Sequence, residues 1–148
     1  MWRSLLLALG LLAPGAPPAA SERGVTGEDL AEIRAVIQHQ IDAFRRDDAH
    51  GAFALAAPGV QRAFGTPERF LETVRMAYRA VYRASALAFL DLMVISGDVV
   101  QRVRITDRAG AVWLAYYAMQ RQADGSWRAS GCHLVQQAKT ISASHRPQ

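Results

Sequence analysis

The chain has 148 residues, 51% of them apolar and 20% charged, a balance that suits one ordinary hydrophobic core and not two. Seventeen basic and thirteen acidic residues give a formal net charge of +4, and the arginines are scattered among acids. The concentrated basic surface that phosphate-backbone binding needs is missing, so no nucleic-acid partner is expected. With Cys132 as the single cysteine, an internal disulfide is excluded and the fold must stand on its core.

Residues 1–21 read as a secretory signal peptide. Arg3 is a minimal basic start, Leu5 to Ala13 is a short apolar run, and Pro14 to Ala20 is a small-residue, proline-broken tail. The apolar run falls well short of the ~18 residues that span a bilayer, so the expectation is a periplasmic or secreted protein with no membrane association after cleavage.

Past a polar lead-in, Thr26 and Asp29 have capping-box spacing. Leu30, Ile33, Ile37, Ile41 and Phe44 then recur along one helical face. Asp47 and Asp48 punctuate that helix and begin a shorter one carrying Phe53 and Leu55, which Ala57-Pro58 stops. A turn through Gly59 leads past Val60 and Phe64 to the clearest helix in the chain. There Thr66 is the N-cap, Pro67 occupies the first turn, and Phe70, Val74, Ala77, Tyr78 and Val81 form an apolar stripe widened by Leu71 and Tyr82.

From Ser85 the period changes to two. Ser96-Gly97, Asp107 to Gly110 and Asp124-Gly125 separate β-rich runs over 86–95, 98–106, 111–123 and 126–137, the spacing of an antiparallel meander. In the second run Val99, Gln101, Val103 and Ile105 share one face, and Arg102, Arg104 and Thr106 the other. The third is apolar on both faces, which calls for helices on one side and another surface, a homodimer partner, on the other. Three helices followed by a curved four-stranded meander predict an α+β domain over 22–138, with a disordered tail over 139–148.

The run from Asp47 to Phe70, DD-x-x-x-AF-x-x-A-x-PG-x-Q-x-x-FGTPE-x-F, resembles the proteobacterial domain of unknown function 4864 family. Val74, Tyr78, Val81 and Tyr82, then Gln101-Arg102-Val103 and Asp124-Gly125-Ser126-Trp127-Arg128 with Gly131 and Leu134, are similar to it too. Where the family often has Gly-Tyr-Pro this chain has Ala77-Tyr78-Arg79, so the helix is expected to run on past Tyr78. The family in turn resembles nuclear-transport-factor-2-like and SnoaL-like cone folds, and that likeness implies a pocket between helices and sheet.

In such a pocket Tyr78, Tyr82, Gln101, Tyr116 and Tyr117 are the candidate contacts for a small apolar ligand. Cone-fold enzymes resembling ketosteroid isomerase use an Asp or His base with Tyr donors, for which Asp91 and His133 are the candidates here. Asp91 alternates with Leu87, Phe89, Met93 and Ile95, and reads first as a carboxylate exposed or ion-paired on an open face and second as a catalytic base. His133 follows Gly131, a bulge candidate that would change which face His133 and Cys132 take. Buried, Cys132 is a small apolar strand residue and not a reactive thiol. His39, His50 and His145 lack metal-site spacing, and no metal or cofactor is expected. A binding or accessory module is the leading functional expectation. The alternatives are an isomerase, dehydratase or cyclase built on Asp91 or His133, and a dimerising interaction module.

Overall fold

The computed structural model describes residues 24–138, so the expected signal peptide and tail lie outside the described residues. Five helices precede four strands. They are α1 Gly27–Arg45, α2 Ala49–Ala54, α3 Pro58–Phe64, α4 Pro67–Ala77 and α5 Arg79–Tyr82, then β1 Ala86–Ile95, β2 Asp98–Thr106, β3 Val112–Arg121 and β4 Trp127–Gln136. The strands pair in chain order, each antiparallel to the next, as the α+β meander reading requires. No described helix is long and apolar enough to cross a membrane.

Local chemistry places the helix ends. Thr26 and Asp29 form the full capping box of α1, the Thr26 hydroxyl accepting from the Asp29 N–H at 3.1 Å and the Asp29 carboxylate from the Thr26 N–H at 2.9 Å. Asp48 caps α2 by accepting from the Gly51 N–H at 2.9 Å, and Thr66 caps α4 with Pro67 in its first turn. The helical half differs from expectation in two places. Pro58 to Phe64 is a helix and not a turn, because Pro58 supplies a pre-set first turn and Gly65, at φ 78°, ends it. The helix also breaks at Tyr78 (φ −125°, ψ 48°), so α4 does not run on. The break leaves Ala77 exposed and redirects the chain to bury Ala80, Val81 and Tyr82.

The core lies where α1 meets the sheet. Ile33, Ile37, Ile41 and Phe44 pack against the face of β2 and β3 that carries Val103, Ile105, Ala115 and Tyr117, all almost fully buried. Arg102 and Arg104 point to the other side of β2, as the alternation predicts. On β3 the opposite face, Val112, Leu114, Tyr116 and Ala118, is half-buried.

Two bulges bend the sheet and reset the alternation. Phe89 pairs with Val103 but Leu92 with Gln101, so Leu90 and Asp91 together oppose Arg102. On β4, Ala129 pairs with Met119 and Gly131 with Ala118, which leaves Ser130 as the extra residue. Beside this second bulge the α2–α3 link is stitched to the sheet, the Ala57 N–H donating to the Ala129 carbonyl at 2.8 Å and the Ala129 N–H to the Leu55 carbonyl at 2.9 Å.

Candidate functional site

Between α1, α3, α4 and the inner face of β3 and β4 lies a cavity of about 190 Å³. Its helix-side wall is aromatic: Phe44, Phe64 and Phe70 meet there, with ring centroids 5.9 Å apart for Phe44–Phe70 and 5.4 Å for Phe64–Phe70. The sheet side supplies Tyr117 and Cys132, and the α4–α5 break supplies Tyr78. No Asp, Glu, His, Lys or Arg lines it.

Two polar side chains of the wall are engaged by main-chain carbonyls. The Gln40 amide donates to the Ala52 carbonyl at 3.1 Å, and the Thr73 hydroxyl to the Arg69 carbonyl at 3.0 Å. The Tyr117 hydroxyl differs from them in being buried without such a carbonyl partner. Tyr117 is 2% exposed, and its oxygen makes no hydrogen bond of regular geometry among the described residues, only a weak contact with the Cys132 thiol. A buried donor without a full partner costs up to about 3 kcal/mol, so its place beside the cavity calls for a reason. Burial first, then the neighbouring Cys132 thiol, raise the Tyr117 hydroxyl well above its ordinary pKa, and burial pushes the Cys132 thiol up to about 12. Both groups are neutral at physiological pH; they can donate a hydrogen bond but are poor bases or nucleophiles.

The candidates named from sequence separate onto different surfaces. Tyr78 and Tyr117 line the cavity. Tyr82 is buried away from that cavity, its hydroxyl donating to Asp47 while the Arg83 guanidinium lies over its ring at 3.8 Å. Gln101 is fully buried and braces the β1 bulge, its amide nitrogen donating to the carbonyls of Leu90 at 2.9 Å, Asp91 at 3.3 Å and Arg102 at 2.8 Å. Asp91, Arg102, Tyr116 and His133 form a row across the outer face, one residue from each strand. There Asp91 is exposed and accepts from Arg102 Nε at 2.6 Å, a contact that leads in lowering its pKa. His133 is exposed beside Tyr116, with ring centroids 6.5 Å apart. The β1 bulge explains the placement of Asp91, because the simple alternation with Leu87 and Phe89 is broken before it.

Cys132, Gln40 and Phe64 were missed as cavity residues. For Cys132 the signal was present: an extra residue near Gly131 turns Cys132 inward and His133 outward. For Gln40, an amide on the apolar side of α1, and for Phe64, within an unrecognised helix, contact with the cavity depends on how distant elements meet. Among the described residues no three His, Cys, Asp or Glu side chains gather closely enough to hold a metal ion.

Comparison with solved structures finds a similar fold in a ketosteroid isomerase-like protein from Erwinia carotovora atroseptica. The two are 18% identical over 76% of this chain and 99% of that one, with a TM-score of 0.50, a likeness of fold alone. No curated protein matches this chain in sequence. Residues 26–142 match one family, and the chain belongs to it: the Domain of unknown function family DUF4864.

Proposed function

We propose that this protein is a binding module for a small, uncharged, largely apolar molecule that carries one hydrogen-bond acceptor. The observation that carries the reading is the charge-free cavity with Tyr117 in its wall, whose hydroxyl has no partner stronger than the Cys132 thiol. An apolar enclosure of about 150 Å³ suffices for a benzene-sized guest, and the volume here, about 190 Å³, sets the same scale. A carbonyl or ether oxygen would give the hydroxyl its missing partner, while an ionised ligand would meet no counter-charge.

Binding is favoured over acid/base catalysis because the cavity wall offers no carboxylate or imidazole, and Asp91 and His133 lie on the outer face. The leader-like residues 1–21 support action in the periplasm or outside the cell. The half-buried apolar outer face of β3 supports a homodimer.

Native mass spectrometry of the mature protein from its own periplasm reads oligomeric state and bound cargo together. Titration with acetophenone and ethylbenzene, similar in shape and differing in the carbonyl, tests the ligand chemistry. Acetophenone is expected to bind roughly tenfold more tightly, about one hydrogen bond, and Tyr117→Phe to erase the difference. Failure of both probes to bind, with no adduct on the native protein, would overturn the reading.

A further inference from the structure

Beyond the α4–α5 break lies a second concavity, with chemistry opposite to the first. The end of α4, α5, the β2–β3 turn and the neighbouring parts of β3 and β4 surround a surface groove of about 1050 Å³. Its floor is apolar, with Met76, Ala77, Ala80, Trp113 and Leu134, and Met76 is 68% exposed. Its polar lining holds four arginines, Arg75, Arg79, Arg83 and Arg108, and two acids, Glu72 and Asp107.

Most of these charges are already engaged. Arg75 pairs with Glu72 at 2.7 Å and Arg83 with Asp47 at 2.8 Å. Asp107 accepts from Trp113 Nε1 and from the N–H groups of Ala109 and Ala111, each at 2.9 Å, and so orients the indole in the groove. Arg79 and Arg108 are left over. Both are exposed, and among the described residues neither has an ion-pair or hydrogen-bond partner. A guanidinium presents a planar fork that matches a carboxylate, and the apolar side chains beside these two cations offer a surface on which an apolar tail can lie. A purely apolar ligand would lie against these two cations without meeting them; a small inorganic anion would leave the floor unused.

We infer that this groove binds an anionic amphiphile, its carboxylate held by Arg79 and Arg108 and its apolar body laid on Met76, Trp113 and Leu134. The site is separate from the interior cavity, whose lining carries no charge.

Trp113 provides the readout, since the other described tryptophan, Trp127, is 4% exposed in the core. The mature protein is titrated with 12-bromododecanoate and with 12-bromododecanol, below micelle-forming concentrations, while tryptophan fluorescence is followed. The carboxylate is expected to quench with at least tenfold higher affinity than the alcohol. In the Arg79→Gln/Arg108→Gln variant that preference should vanish, with circular dichroism and acetophenone binding unchanged. Trp113→Phe should remove the quenching. The inference is overturned by equal binding of the two probes, by no binding of the carboxylate, by a preference that survives the double variant, or by quenching that survives Trp113→Phe.

Discussion

Asp29 illustrates how one side chain can hold two distant parts of the chain. It completes the α1 capping box, accepts from Trp127 Nε1 at 3.1 Å, and pairs with Arg121 at 2.8 Å, so the start of α1 is tied to the β3–β4 hairpin. The cap was legible from the Thr26–Asp29 spacing; the other two bonds were not, because they join residues more than 90 positions apart. Arg121 leads, with the Thr26 N–H next, in holding the Asp29 carboxyl below the usual carboxylate range. A depressed folded-state pKa contributes stability that is full above the unfolded value, near 3.9, and is lost as pH falls below it. The melting-temperature gap between the native protein and Asp29→Asn should therefore be constant above about pH 5 and shrink below about pH 4. Asp29→Ala also leaves the Arg121 charge half-buried without its partner, and chemical denaturation should register a loss of about 3 kcal/mol. Gln101→Leu removes an amide nitrogen shared among three carbonyls around the β1 bulge, and with it a buried Oε1 that has no partner; a loss of about 1 kcal/mol is expected by the same measurement, without change in cavity ligand affinity.

Turns and strand limits could be read because their causes are local. Ser96 and Gly97, at φ 51° and 85°, form a two-residue turn that leaves Ile95 paired with Asp98, and Gly125, at φ 87°, bends the last hairpin. The Tyr78 break and the β1 bulge have no comparable local marker. Together they decide that Tyr78 lines the cavity while Asp91 does not. The two kinds of glycine respond differently to the same change. Gly125→Ala forces a side chain into the left-handed region and should cost about 1 kcal/mol. At Gly131 an added Cβ would meet only the Ala118 Cβ, at 3.9 Å, an ordinary contact. Gly131→Ala should therefore shift thermal stability by no more than about 0.5 kcal/mol, since the bulge is made by the extra Ser130 and not by glycine's freedom. Paired thermal melts of the two variants check both values.

At the scale of the whole molecule, the described core packs closely beside the cavity, and the Tyr117 hydroxyl concentrates the consequence. Ile33, Ile37, Ile41, Val103 and Ile105 are fully buried against one another, so the space near Tyr117 is not a sign of loose packing throughout. A hydroxyl in that space burdens the empty protein, because the group loses its water and gains no partner stronger than the Cys132 thiol. Tyr117→Phe keeps the ring and removes only the oxygen. It should raise the stability of the ligand-free protein by about 1 kcal/mol, a few degrees in melting temperature for a domain of this size. The same change should lower the stabilisation that a saturating carbonyl ligand confers, because that stabilisation follows ligand affinity. Melting the native protein and Tyr117→Phe with and without acetophenone measures both terms in one experiment. A variant more stable when empty and less stabilised when loaded identifies the hydroxyl as a binding group retained against its cost to folding. A variant less stable when empty means that the hydroxyl is satisfied within the fold, and the acceptor-binding role assigned to it falls.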